Sequence, residues 1–132
     1  MSDTTDEERI VRTMEAFRKN RYDVSRFAER TAAADYLARE IRGKRVGFGD
    51  SETLRALSLY ERLSVHNEVI DPPRAGHVGG IEAFLAAGRE ALMTDIFVLS
   101  ANAITEEGQI LNMDGAGNRV AGSLFGHEKT YF

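Results

Sequence analysis

Asp95-Ile96-Phe97-Val98-Leu99 is the stretch on which the fold turns. A strand with one wet face alternates apolar and polar residues. An unbroken apolar run of strand length instead needs cover on both faces, as in a parallel sheet between helices. The neighbouring patterns supply that cover. Upstream, after Gly79-Gly80, residues Ile81, Phe84, Leu85, Gly88 and Leu92 recur at helical spacing. Downstream, Asn118 can cap a helix carrying Val120, Ala121, Leu124 and Phe125, stopped by Gly126. Thr130-Tyr131-Phe132 then begins another strand.

Working back toward the start, Arg45-Val46-Gly47-Phe48-Gly49 reads as a very short strand entering a glycine turn. Asp50 or Ser51 then caps a helix through Thr53, Leu54, Leu57 and Tyr60. Thr31 caps a helix with Ala33, Leu37 and Ile41 on its stripe, ended by Gly43. Thr5 and Glu8 have capping-box spacing ahead of Ile10, Val11, Met14 and Phe17. Tyr22 to Phe27 alternates and reads as a short edge strand. Leu63 to Ile70 holds one or two short strands, and Asp71-Pro72-Pro73 a turn or linker. Ile104, Glu106-Glu107-Gly108 and Gln109-Ile110-Leu111 form a small β-hairpin. The expectation is one α/β domain over residues 1–132, a mainly parallel sheet covered by helices with a small hairpin.

Composition excludes several classes. The 132 residues carry 17 Lys plus Arg against 21 Asp plus Glu, a net charge of −4, with 42% hydrophobic residues. That apolar content argues against disorder. No run approaches the roughly 18 apolar residues of a membrane span. With no cysteine, the chain can hold neither disulfides nor its own iron–sulfur cluster. The acidic balance disfavours a general nucleic-acid footprint. The acidic start is neither a signal nor a transit peptide, which makes the cytoplasm the default compartment.

Three segments offer candidate chemistry. Gly47, Gly49, Ser51 and Thr53 lie where a buried strand meets a helix, a place where open α/β sheets bind ligands. A tight turn with a capping Ser accounts for the same residues. Asn112, Asp114, Gly115, Gly117, Asn118 and Arg119 crowd one polar loop. That loop is neither a dinucleotide fingerprint, since position 120 is Val, nor a P-loop, since the Lys is missing. An Asp-Gly turn with an Asn cap is its plainer account. Asn102, Thr105 and Glu106 follow the buried strand, Glu106 being the acid/base candidate or else a solvated turn residue. His66, His77 and His127 have no metal-ligand spacing, and no G-x-S-x-G is present. The Arg42, Lys44, Arg45 cluster reads as a helix end complementing the dipole.

Thr94 to Gly108 resembles the "ADVF…NAIT-(E/D)-x-G" stretch of the lactate-utilisation (LUD) domain family, which includes lactate-utilisation protein C. Gln109 to Ala121 resembles its "N-x-DG-x-GNR-VA" signature, and Val46 to Leu54 its "GxGxSxTL" turn. The resemblance implies a NagB/RpiA/CoA-transferase-like fold and a role in L-lactate utilisation. Together with the three segments above, the leading expectation is a small anionic metabolite bound in a crevice lined by residues 47–53, 102–106 and 112–119. Arg119 would pair with a carboxylate or phosphate, and Asp114, Asn112 and Asn102 would orient hydroxyls. Iron–sulfur subunits are the implied partners, which makes a non-catalytic partner or assembly subunit the alternative. A transferase or ligase acting on CoA or folate rests on fold analogy alone. No cofactor is expected in the chain itself, and the sequence leaves room for a homo-oligomer. Two departures stand out. Asp50 replaces a usual glycine, and the family's further strand and "vvGxNKi" segment do not follow Phe132, which reads as a C-terminal truncation.

Overall fold

The computed structural model describes residues 5–132, so Met1-Ser2-Asp3-Thr4 of the acidic start lie outside the described residues. The element order is α1 (Asp6–Lys19), α2 (Arg30–Glu40), β1 (Arg45–Phe48), α3 (Glu52–Ala56), α4 (Leu59–Leu63), β2 (Glu68–Ile70), α5 (Pro72–Ala91, kinked at Gly80), β3 (Ile96–Val98), β4 (Ala103–Ile104), β5 (Ile110–Leu111), α6 (Asn118–Leu124) and β6 (Lys129–Tyr131). The chain divides into two compact units. The first is the stretch ending at Arg26 together with Ala101–Asn112, and the second is Phe27–Ser100 with Met113–Phe132.

The second unit holds the sheet. Its four strands run in the order β2-β1-β3-β6, all parallel, with Val46 opposite both Val69 and Ile96. The two-residue period of a strand sorts side chains onto two faces. Val46, Phe48, Ile96 and Val98 face one way and pack with Ile41, Leu54, Leu59 and Leu63 from the helices before β2. Phe97, Leu99 and Ile70 face the other way, against Ala87 and Ala91 of α5. The expected doubly covered parallel sheet is therefore present, β3 being buried at all three positions.

Glycines set how closely the helices approach. A Cβ at Gly47 would meet the Ala91 carbonyl, and one at Gly122 would enter the Phe97 ring. The amino ends of the strands are closed by ion pairs of Lys44 with Glu128 and of Arg45 with Glu68 and Glu90. Lys44 and Arg45 of the basic cluster thus pair with side chains from β2, α5 and the approach to β6.

The first unit pairs α1 with the hairpin of β4 and β5, whose register sets Ala103 opposite Leu111. The Thr5–Glu8 capping box forms as expected. Gly108 (φ +79°) makes the hairpin turn against the Ala16–Phe17 backbone, where a Cβ would come within 2.7 Å. Asn20 Nδ2 donates to the Gly108 carbonyl at 2.9 Å.

Local departures have physical reasons. Tyr22–Phe27 is not a strand. Arg21 turns the chain (φ 67°), Tyr22 packs edge-on to Phe17, and Arg26 pairs with Glu7, so contacts with α1 replace a ladder. The helix beyond Ser51 breaks at Ser58 (φ 50°). Five helical residues turn by about 140°, so one straight helix could not bury both Leu54 and Leu59. Asp71-Pro72-Pro73 is a helix start, not a linker: Asp71 caps α5 and the prolines sit where no donor is needed. Glu29, not Thr31, precedes α2, without a side-chain cap. Gly117 (φ 85°), not Asn118, occupies the cap position of α6.

An exposed helical Gly gains up to about 1 kcal/mol on substitution by Ala. Gly122→Ala should do the reverse and cost about 1–3 kcal/mol through overpacking on Phe97, measured as a fall in the urea midpoint.

Candidate functional site

In a parallel sheet the loops leaving the carboxyl ends of the strands collect on one side, and ligands bind there. In the second unit these are the turn after β1, the start of α5 after β2, and residues 99–100 after β3. β1 connects onward to β2 on one flank, while β3 leads to β6 on the other. The switch point therefore lies between β1 and β3.

Arg119 fills that point. Its aliphatic stem crosses Gly49, where a Cβ would meet Arg119 Cγ at 2.8 Å and Leu99 Cβ at 3.0 Å. Its fork is spent on the protein. Nε donates to Asp114 Oδ1 at 2.8 Å, one terminal nitrogen to the Met113 carbonyl at 2.6 Å, the other to the Asp50 carbonyl at 3.1 Å. Asp114 Oδ2 accepts from the Val120 amide at 2.6 Å and so caps α6 from four residues upstream of it. The side chains are only 13% and 7% exposed. The Asp-Gly-x-Gly-Asn-Arg run is thus a clamp tying its own loop to the turn after β1.

Beside the clamp, toward β2, a cleft of about 260 Å³ opens. Its floor is Phe48, Gly49 and Leu54, and its polar walls are Ser51, Arg55, Tyr60, Glu61, Asp71 and Arg74. Ser51, 6% exposed, accepts from the Leu54 amide and shares a 2.8 Å hydrogen bond with the Ser100 hydroxyl. Two hydroxyls joined by one hydrogen bond leave one proton over. Among the described residues that proton has no acceptor. Arg74 lies over the Tyr60 ring, 3.8 Å from its centroid, and pairs with Glu61 at 2.8 Å. Arg55 pairs with Asp50 and Glu52. Burial pushes the Asp71 carboxyl up from its ordinary value, opposed by the Arg74 amide and by the charges of Arg74 and Arg55. Both guanidiniums therefore act on one carboxyl.

The two sets of arginines differ in what releasing them costs. Separating the buried Arg119–Asp114 pair would strand a charge and costs about 3–5 kcal/mol. The Arg74–Glu61 pair, with side chains 49% and 62% exposed, holds by at most about 1 kcal/mol. A ligand anion can replace Glu61 far more cheaply than Asp114.

The sequence-derived candidates separate accordingly. Gly49, Ser51, Asp114 and Arg119 come together in the second unit. Gly47 is taken up by packing under α5, Thr53 is exposed on α3, Gly115 is open, and Gly117 supplies the left-handed cap. Asn118 Nδ2 is buried without an acceptor. Asn102, Thr105, Glu106 and Asn112 belong to the first unit. There the Asn102 amide donates to Leu111, and the Thr105 hydroxyl accepts from the Gln109 amide. Glu106 is gripped by Arg9 and Arg12 at 2.7 Å each, and the Arg9 hydrogen bond holds its carboxyl below the usual range. That is the reverse of what a general acid needs. Arg55, Tyr60, Asp71 and Arg74 escaped sequence reading, because their meeting depends on strand order. Among the described residues no three His, Cys, Asp or Glu side chains group to hold a metal ion, and no helix is long and apolar enough to cross a membrane.

Arg119→Met should lower stability by about 3–5 kcal/mol in urea unfolding, whereas Arg74→Gln should change it by less than about 1 kcal/mol. For Asp71, a raised folded pKa means stability present at low pH is lost as pH rises through that pKa. Asp71→Asn keeps a capping side chain. It should be more stable than wild type at pH 7 and equal to it well below the ordinary value of 3.8, read from unfolding midpoints across pH.

One comparison with known families is positive: a family model described as LUD domain matches residues 10–129. No curated protein and no solved structure matches the chain.

Proposed function

Since the chain belongs to the LUD domain family, we propose that it is a small-molecule-binding domain of L-lactate-type organic-acid utilisation in the cytoplasm, holding a small anionic metabolite at the carboxyl ends of its parallel strands. The observation that carries this reading is the polar cleft beside β1, with two guanidiniums whose shortest ion pairs are with exposed carboxylates. We treat residues 1–132 as one domain, a reading supported by a family match that runs through both compact units. At about 260 Å³ the cleft is smaller than the roughly 300–1,000 Å³ of drug-sized sites. That favours a short acid over CoA or a folate.

A second reading, partner subunit of an iron–sulfur oxidoreductase, is favoured by a different observation. Leu124 and Phe125, at the end of α6, are 76% and 90% exposed. Apolar groups left so open mark contact surfaces when they cluster.

Titration with sodium L-lactate and with pyruvate tests the first reading. At a hundredfold excess over Kd a ligand adds about 2.7 kcal/mol of stability, visible as a rise in melting temperature of several degrees. No heat of binding and no shift with any short organic acid would sink it.

A further inference from the structure

We propose that the β1–β2 cleft is an ion-pair exchange site, in which the carboxylate of a short monocarboxylic acid replaces Glu61 on Arg74 and Asp50 or Glu52 on Arg55. The proposal rests on the small-anion reading above and assigns it to residues outside the Asp-Gly-x-Gly-Asn-Arg loop.

The geometry points there for four reasons. First, the switch-point position is already taken by Arg119, whose three kinds of nitrogen bond Asp114, Met113 and Asp50 within the protein. Second, Arg74 lies over the Tyr60 ring, its guanidinium carbon 3.8 Å from the centroid. A guanidinium seated on a ring keeps its N–H edge for a two-pronged acceptor such as a carboxylate. Third, the carboxylates to be displaced, Glu61, Asp50 and Glu52, are exposed and return to water, while the mostly buried Asp71, 3.9 Å from Arg74 Nε, stays in place. Fourth, the nearly buried Ser51 hydroxyl lines the same cleft, and the Ser51–Ser100 pair has one proton to give. Asp71, also in the wall, is an acceptor. Together they fit an oxygen next to the carboxylate, a donor proton serving a carbonyl and the Asp71 carboxylate a hydroxyl.

Local charge selects the class. Two guanidiniums face four carboxylates: Glu61 and Asp71 in the wall, Asp50 and Glu52 paired with Arg55. The balance is already negative, and a singly charged acid adds the least to it. A doubly charged phosphate adds repulsion that this balance does not offset.

The test is calorimetric titration of the full chain at constant ionic strength, with L-lactate, pyruvate and inorganic phosphate as probes. Arg74→Gln and Arg55→Gln alter exposed side chains, and unfolding midpoints will confirm that both variants fold. Each should weaken lactate or pyruvate binding at least about tenfold. Glu61→Gln removes the competing carboxylate and should tighten binding a few-fold, which a merely structural role would not do. Binding that survives both arginine changes would overturn this site while leaving the small-anion reading intact. Failure of wild type to bind any probe would overturn that reading and this site with it. Phosphate bound as tightly as the monocarboxylates would overturn the assignment of class.

Discussion

The buried ion pair of Arg119 with Asp114 organises the carboxyl-end face of the sheet. Through it the loop before α6, the turn after β1 and the first turn of α6 become one piece. The pair is tolerable at this depth because neither partner is left short of hydrogen bonds. Arg119 also bonds two carbonyls, and Asp114 also accepts a backbone amide. A buried pair lacking such support would cost more in desolvation than it recovers. The closeness of the clamp in turn dictates Gly49, since any side chain there would collide with the arginine stem.

The clamp decides where a ligand can go. The switch point between β1 and β3 would ordinarily be open, yet here the protein's own guanidinium occupies it. The open volume lies one strand over, between the turn after β1 and the start of α5. The short ion pairs of the arginines there are with exposed carboxylates, Asp71 lying farther from Arg74 at 3.9 Å. Exposed pairs are weak because water screens both charges in the bound and separated states alike. The same property that makes them poor sources of stability makes them exchangeable.

Much of the fold could be read locally. Residues 95–99, apolar at almost every position, required cover on both faces, and Val46 to Phe48 supplied a second short buried strand. The hairpin was legible from Ile104, Gly108 and Ile110-Leu111, because turn chemistry acts over few residues. The failures were also local in origin. Tyr22 to Phe27 alternates as a strand does, but alternation only sorts side chains onto two faces, and no strand among the described residues pairs with them. Asp71-Pro72-Pro73 has the composition of a turn, and only the helix after it reveals the prolines as a first turn. Of the candidate site, Gly49, Ser51, Asp114 and Arg119 were found from spacing, but as ligand contacts; that Arg119 bonds its own backbone depends on where two distant loops meet.

By itself, then, the sequence determined the layering of the second unit, the hairpin, the absence of disulfides, and the family, all of which rest on short-range pattern or composition. Only the tertiary structure decided which charges face each other. Residues 55, 61, 71 and 74 lie on α3, on α4 and, past β2, at the start of α5, and a parallel sheet delivers them to one rim because β2 lies beside β1. Glu106 was consumed by Arg9 and Arg12, nearly a hundred positions earlier in the chain. Charge pairing is set by distance through space and by exposure, and neither is written in the spacing of residues along a chain.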